Sequence, residues 1–126
     1  MIKFNHFNFN VLDLQKSIAF YDRALGLKPV REIHPDHGAF KIVYLGDDSA
    51  SDFTLELTWL KDRDKAYDLG EMEYHLAFIT DRFDELFALH QQMGCVCFEN
   101  HDMGIYFIQD PDGYWIEIVP ASHWGR

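Results

Sequence analysis

A pattern that occurs twice governs what this 126-residue chain can fold into. A histidine opens each half and a glutamate closes it, His6 with Glu56 and then His75 with Glu117. His6 to Gly26 spans 20 positions and His75 to Gly94 spans 19, with Asp13 and Asp81 opening the helical pattern between them. Self-similarity of this kind marks a repeated supersecondary unit. The copies are read as residues of about 1–60 and 73–120 within one domain, 1–126.

Local patterning gives each copy the same order. Residues 2–11 alternate, with Phe7, Phe9 and Val11 on one face and His6, Asn8 and Asn10 on the other, which predicts a strand. Asp13 is placed to N-cap a helix whose apolar positions Leu14, Ile18, Tyr21 and Leu25 recur at helical spacing, and Gly26 suits the left-handed position after it. Strands are expected near 27–33, 39–45 and 53–60, separated by the turn-rich segments HPDHG and GDDSASD. The second copy repeats this with a strand over 73–80, a helix from Asp81 to about Met93, and strands near 95–98, 104–109 and 114–119. Asp110-Pro111-Asp112-Gly113 supplies the last turn, and the charged segment 61–72 joins the copies.

Charge and composition exclude several classes of protein. With 21 acidic and 11 basic residues the net charge is −10, so a nucleic-acid partner, which needs clustered Lys and Arg, is not expected. No apolar run reaches about 18 residues and the N-terminus lacks a basic segment followed by an apolar one, so a soluble, cytoplasmic protein without membrane contact is expected. Cys95 and Cys97, one residue apart, are read as reduced thiols packed near a strand.

Period-two alternation puts His6, Glu56, His75 and Glu117 on the strand faces opposite Phe7 and Phe9, Leu55 and Leu57, Leu76 and Phe78, and Ile116 and Ile118, which are expected to pack under the helices. Taken singly, each of the four is most simply a solvated strand residue. Together, at repeated positions, they make a different case, and Glu56 and Glu117 interrupt strongly apolar strands (FTLELTWL, YWIEIVP) where an unpaired carboxylate is costly. Two imidazoles and two carboxylates without a thiolate suit Ni, Co, Mn, Fe(II) or Zn in an open site, and the ion can then act as a Lewis acid beside a carbonyl.

The chain resembles the vicinal-oxygen-chelate superfamily and, within it, the glyoxalase I (lactoylglutathione lyase) family. The resemblance is carried by His6 followed by VLDLQKSIAFYDRALGL, TLELT around Glu56, YHLAF around His75 and DPDGYWIEI around Glu117, and covers nearly the whole chain. It implies an α+β fold of paired βαβββ modules, a curved, cup-like mixed sheet with the helices outside. It also implies a divalent metal held by His6, Glu56, His75 and Glu117, with Ni expected first and Co or Zn as alternatives, commonly in a homodimer whose ligands come from one chain or two. The implied reaction isomerises the hemithioacetal of a 2-oxoaldehyde such as methylglyoxal with a thiol to a 2-hydroxyacyl thioester through a metal-stabilised enediolate. Glu117 is the implied proton-transfer base and Glu56 the second candidate. Competing expectations are another metal-dependent enzyme of the superfamily, an epimerase or thiol transferase, and a metal-free protein that sequesters a ligand.

Departures from the family concern the thiol. Glutathione-using members are expected to carry an arginine near Asn10 and an asparagine near Leu60, and neither is present, so the thiol is glutathione or another small thiol, with Arg23 and Lys41 as candidate replacement charges. Elsewhere, His34 and His37 read as turn residues, His90 as a partly buried helix histidine, and Trp59, Trp115 and Trp124 as core or rim aromatics, with Trp115 placed to wall a pocket beside Glu117. Met72 and Met103 are lid or loop positions, and His101 and His123 are idle or pocket-lining.

Overall fold

The computed structural model describes residues 1–124, with side chains through Ser122. His123 and Trp124, singled out above, therefore have no described side chains. The chain falls into two compact units, residues 1–67 and residues 68 onward.

The first unit runs β1 (His6–Val11), α1 (Leu14–Leu25), β2 (Lys28–Ile33), β3 (Phe40–Gly46) and β4 (Thr54–Leu60). Its four-stranded sheet has the order β1-β4-β3-β2, with β1 parallel to β4 and the other pairs antiparallel. The second unit repeats the plan with β5 (Leu76–Thr80), α2 (Phe83–Gln92), β6 (Val96–Asn100), β7 (Ile105–Gln109) and β8 (Trp115–Pro120), in the order β5-β8-β7-β6 with β5 parallel to β8. A short α3 (Ala121–Trp124) follows. These are the two mixed βαβββ modules expected from the sequence.

Helix α1 forms where capping and patterning agree. The Asp13 carboxylate accepts from the Lys16 backbone N–H at 3.1 Å, Gly26 takes φ +68° after the last turn, and Leu14, Tyr21 and Ala24 are buried. They pack with Phe9, Val11, Val43, Leu45, Leu55 and Leu57 into the core of this unit. The second core gathers Leu86, Ile105, Tyr106, Ile108, Ile116 and Ile118. Within it His90 is fully buried rather than partly so, and its Nδ1 lies 2.8 Å from the Tyr106 hydroxyl. Burial, followed by the nearby Cys95, raises the Tyr106 phenol above its ordinary value.

Three boundaries differ from the sequence reading. Strand β1 begins at His6 rather than residue 2, because β4 starts at Thr54, whose N–H bonds to the Asn5 carbonyl at 3.1 Å; its N-terminal neighbours are spent on the Asp47–Ser51 turn. Helix α2 begins at Phe83, and Asp81 lies one residue before its N-cap, Arg82, so no side chain caps it; Asp84 and Glu85 offer the helix N-terminus negative charge instead. Strand β5 begins at Leu76 rather than residue 73, leaving His75 just outside it. The ladder with β8 begins at the Leu76–Ile116 pair, after the turn in which the Asp110 carboxylate accepts from the Tyr114 N–H at 2.9 Å.

Asp13→Ala should cost about 1 kcal/mol of stability, whereas Asp81→Ala should stay within about 0.5 kcal/mol. Tyr106→Phe, which leaves the buried His90 nitrogen without its partner, should cost about 1–3 kcal/mol. Urea unfolding midpoints of the three variants check this ranking.

Candidate functional site

The parallel pairing sets a diagonal. In the first unit His6 pairs with Thr54 and Asn8 with Glu56, so His6 meets the glutamate two residues further along β4, and its Nε2 lies 3.8 Å from Glu56 Oε1. In the second unit Ala77 pairs with Glu117, and His75, two residues earlier, brings its Nε2 to 3.3 Å from Glu117 Oε1. The same offset thus recurs in both sheets. The structure joins the four candidate ligands as two His–Glu pairs, and no group of three or more His, Cys, Asp or Glu side chains is placed to hold a metal ion among the described residues.

The environment of each pair suits metal donation. The carboxylates are mostly covered, their side chains 13% and 16% exposed, while the imidazoles are more open at 38% and 43%. A covered carboxylate needs a cationic neighbour to offset lost hydration. Asn5 Oδ1 can only accept, so His6 Nδ1, 2.5 Å away, donates to it, which leaves the Nε2 lone pair facing Glu56. Adjacent donors with bonds of about 2.1 Å to one ion lie about 3 Å apart, so both pairs sit near the separation an ion requires.

The surroundings of the two pairs differ in kind. Around Glu56 the face is polar: Thr58 donates to Asn8 at 2.6 Å, Asn8 donates to Asn10 at 2.8 Å, and the Tyr44 ring meets the His6 ring edge-on at 5.6 Å. The Tyr44 phenol sits above its ordinary value, first through hydrogen bonding toward Glu56, its cross-strand partner, then through burial and the Glu56 charge, while Arg31, 5.5 Å over the ring, opposes the shift. Around Glu117 the face is aromatic: Phe107 meets the His75 ring edge-on at 5.1 Å, Trp115 lies 5.3 Å from Phe107, and Phe98 stacks on Trp115 at 6.2 Å. Trp115 therefore lies among the aromatic rings on the face of Glu117.

Other expected positions fall elsewhere. Lys41 lies over the Trp59 ring at 5.3 Å and alternates with Ile42 and Tyr44, which puts it on the helix-covered face, and Arg23 sits in the last turn of α1, so neither is placed on the face of Glu56. Arg31 is the cation there, and sequence alone missed it, because only its pairing with Tyr44 across β2 and β3 reveals its face. His34 pairs with Glu32 at 3.4 Å and His37 accepts from the Ala39 N–H, both as turn residues. His101 lines a cavity with Phe83, Phe87 and Glu99, on the side of Tyr106 rather than that of Glu117. Met72 holds a left-handed φ of +53° in the connection, and Met103 is exposed in a turn. Cys95 and Cys97 are free thiols, and burial raises that of Cys97.

The fold and the repeated pairs define a class, and residues 3–94 match the model of the Glyoxalase/Bleomycin resistance protein/Dioxygenase superfamily, to which the chain belongs. Within it the chain is 35% identical over 121 residues to lactoylglutathione lyase of Neisseria meningitidis, covering 90% of this chain and 87% of the relative. It is 32% identical over 128 residues to lactoylglutathione lyase of Salmonella typhimurium, covering 96% and 94%. The solved structure of the trypanothione-dependent glyoxalase I of Leishmania major superposes with a TM-score of 0.85 at 29% identity, covering 97% of this chain and 88% of that one.

If the carboxylates are held for a cation, Glu56→Ala and Glu117→Ala should each weaken divalent-ion uptake by about 10-fold or more, whereas His34→Ala should leave it unchanged. Equilibrium dialysis with Ni or Zn reads the difference.

Proposed function

We propose that His6, Glu56, His75 and Glu117 are the four protein donors of a divalent metal, drawn from one chain or from two copies in a homodimer. The chain is a lactoylglutathione lyase-type isomerase, turning the hemithioacetal of a 2-oxoaldehyde such as methylglyoxal with a small thiol into the 2-hydroxyacyl thioester. The observation that carries this reading is the diagonal His–Glu pair built twice by the same register. Relatives bearing that enzyme's name along nearly the full chain favour it over an epimerase, a thiol transferase or a ligand-sequestering protein of the same fold.

When bound, the ion supplies Lewis-acid polarisation of the substrate oxygens next to the C–H bond to be broken. Nickel is the proposed physiological ion, with Co or Zn as alternatives, since two imidazoles and two carboxylates accept all three. Glu117 takes the proton from the carbon bearing sulfur and returns it to the neighbouring carbon, while the hydroxyl proton passes between the two oxygens, so the product is an isomer of the substrate. Phe107 and Trp115, with the more exposed Phe98 against them, make the Glu117 side apolar and suit the aldehyde's carbon substituent. Asn8, Asn10, Thr58 and Arg31 offer the polar thiol portion hydrogen bonds and a positive charge. Glutathione is the first thiol to test. No helix among the described residues is long and apolar enough to cross a membrane, and a cytoplasmic location fits a reaction that consumes a reduced thiol.

Metal-stripped protein reloaded separately with Ni, Co and Zn should convert the methylglyoxal–glutathione hemithioacetal to lactoyl thioester, followed by ultraviolet absorbance. Glu117→Gln should lower kcat by about 100-fold or more while retaining part of the metal affinity, and an active variant refutes the role given to Glu117.

A further inference from the structure

A cavity of about 190 Å³ lies in the second unit between the start of α2 and the β6–β7 turn, with Phe83, Asp84, Phe87, Glu99, His101 and Tyr106 in its lining. Tyr106 pairs with Glu99 and Ile118, whereas the next residue, Phe107, pairs with Phe98 and Glu117. Alternation along β7 thus puts the cavity on the opposite side of the sheet from His75 and Glu117. Nothing in the reaction proposed above uses it.

Three aromatic rings border this space. Phe83 and Phe87, one helical turn apart, meet the Tyr106 ring at 5.2 and 4.9 Å, inclined to it by 65° and 74°. The Tyr106 hydroxyl lies 2.8 Å from the buried His90 Nδ1, so Tyr106 offers the cavity its ring and not a free hydroxyl. The charge in the lining is negative, with Asp84 from the helix and Glu99 from the sheet, and among the described residues no Lys or Arg lines it. Arg82, next to Phe83 in sequence, reaches Glu85 at 3.7 Å. His101, 3.6 Å from Glu99, is the one basic side chain in the lining, and at 84% exposure it is free to turn out to water.

We propose that this cavity binds a small organic ammonium ion of about the size of choline. A bare metal ion suits it poorly: Glu99 is 40% exposed and hydrated, and no group of three or more His, Cys, Asp or Glu side chains is placed to hold one among the described residues. An alkylammonium ion differs, because aromatic faces attract its diffuse charge, the two carboxylates match its sign and its methyl groups fill apolar space. The volume lies below the roughly 300–1,000 Å³ of pockets for drug-sized ligands, which limits the occupant to a small cation.

Saturation-transfer NMR on the intact protein, titrated with choline and with its neutral isostere 3,3-dimethyl-1-butanol, tests this. Choline should bind about 10-fold or more tightly than the isostere. Glu99→Gln, an exposed change that keeps the size of the side chain, should weaken choline about 3-fold. Phe87→Leu, with near-ultraviolet circular dichroism to check folding, should weaken it about 10-fold. Phe98→Leu, on the opposite face of the sheet, should leave it unchanged. Equal affinity for the isostere overturns the cationic ligand class, and binding of neither compound overturns the site. Choline binding that survives Phe87→Leu and is lost in Phe98→Leu puts the ligand on the Glu117 face and overturns the location.

Discussion

Parallel pairing of the first and last strands of each module is the constraint on which the rest depends. Chain reversal through α1 and two hairpins returns β4 alongside β1, and the register then fixes which side chains meet. Because the side-chain period of a strand is two, a slip of one residue would send Glu56 into the helix-side core and Leu57 outward. The core prevents this: Leu55 and Leu57 are buried with Val43 and Leu45, and the same holds for Ile116 and Ile118 in the second module. Apolar burial on one face thus places a carboxylate within reach of a histidine on the other.

Duplication gives two frames, and divergence gives them different tasks. The open face of the first sheet carries Asn8, Asn10, Thr58, Tyr44 and Arg31, a set rich in hydrogen-bond donors and acceptors. The corresponding face of the second carries Ala77, Ile79, Phe98, Phe107 and Trp115, with Ile79 and Phe98 substantially exposed. The loss of the expected arginine at Asn10 fits a first sheet whose positive charge comes from β2 instead, through Arg31.

Much of this was legible in the sequence because the signals were local. Asp13 and Gly26 sit at the two ends of α1, the Asp110–Gly113 turn forms as its composition requires, and the order of elements in both modules follows from periodicity. What was not legible depends on register or on competition for backbone groups. Asp81 resembles Asp13 in spacing, yet Thr80 accepts from the Arg82 N–H and the helix starts one residue later. His75 fits a strand pattern, yet the ladder with β8 begins one residue later, at Leu76. Lys41 and Arg31 look alike as surface cations, and only cross-strand pairing separates the face of one from that of the other.

The histidines show how little a residue type says without its partner. His90 is the most buried of those described, and burial alone would single it out, yet the Tyr106 hydroxyl satisfies its ring nitrogen and it serves the core. His34 and His101 each lie beside an exposed glutamate, where water can hydrate both groups and no cation is needed. His6 and His75 combine an accessible imidazole with a carboxylate that is mostly removed from water. That combination, an accessible imidazole beside a covered carboxylate, occurs once in each unit and sets these two of the seven histidines apart.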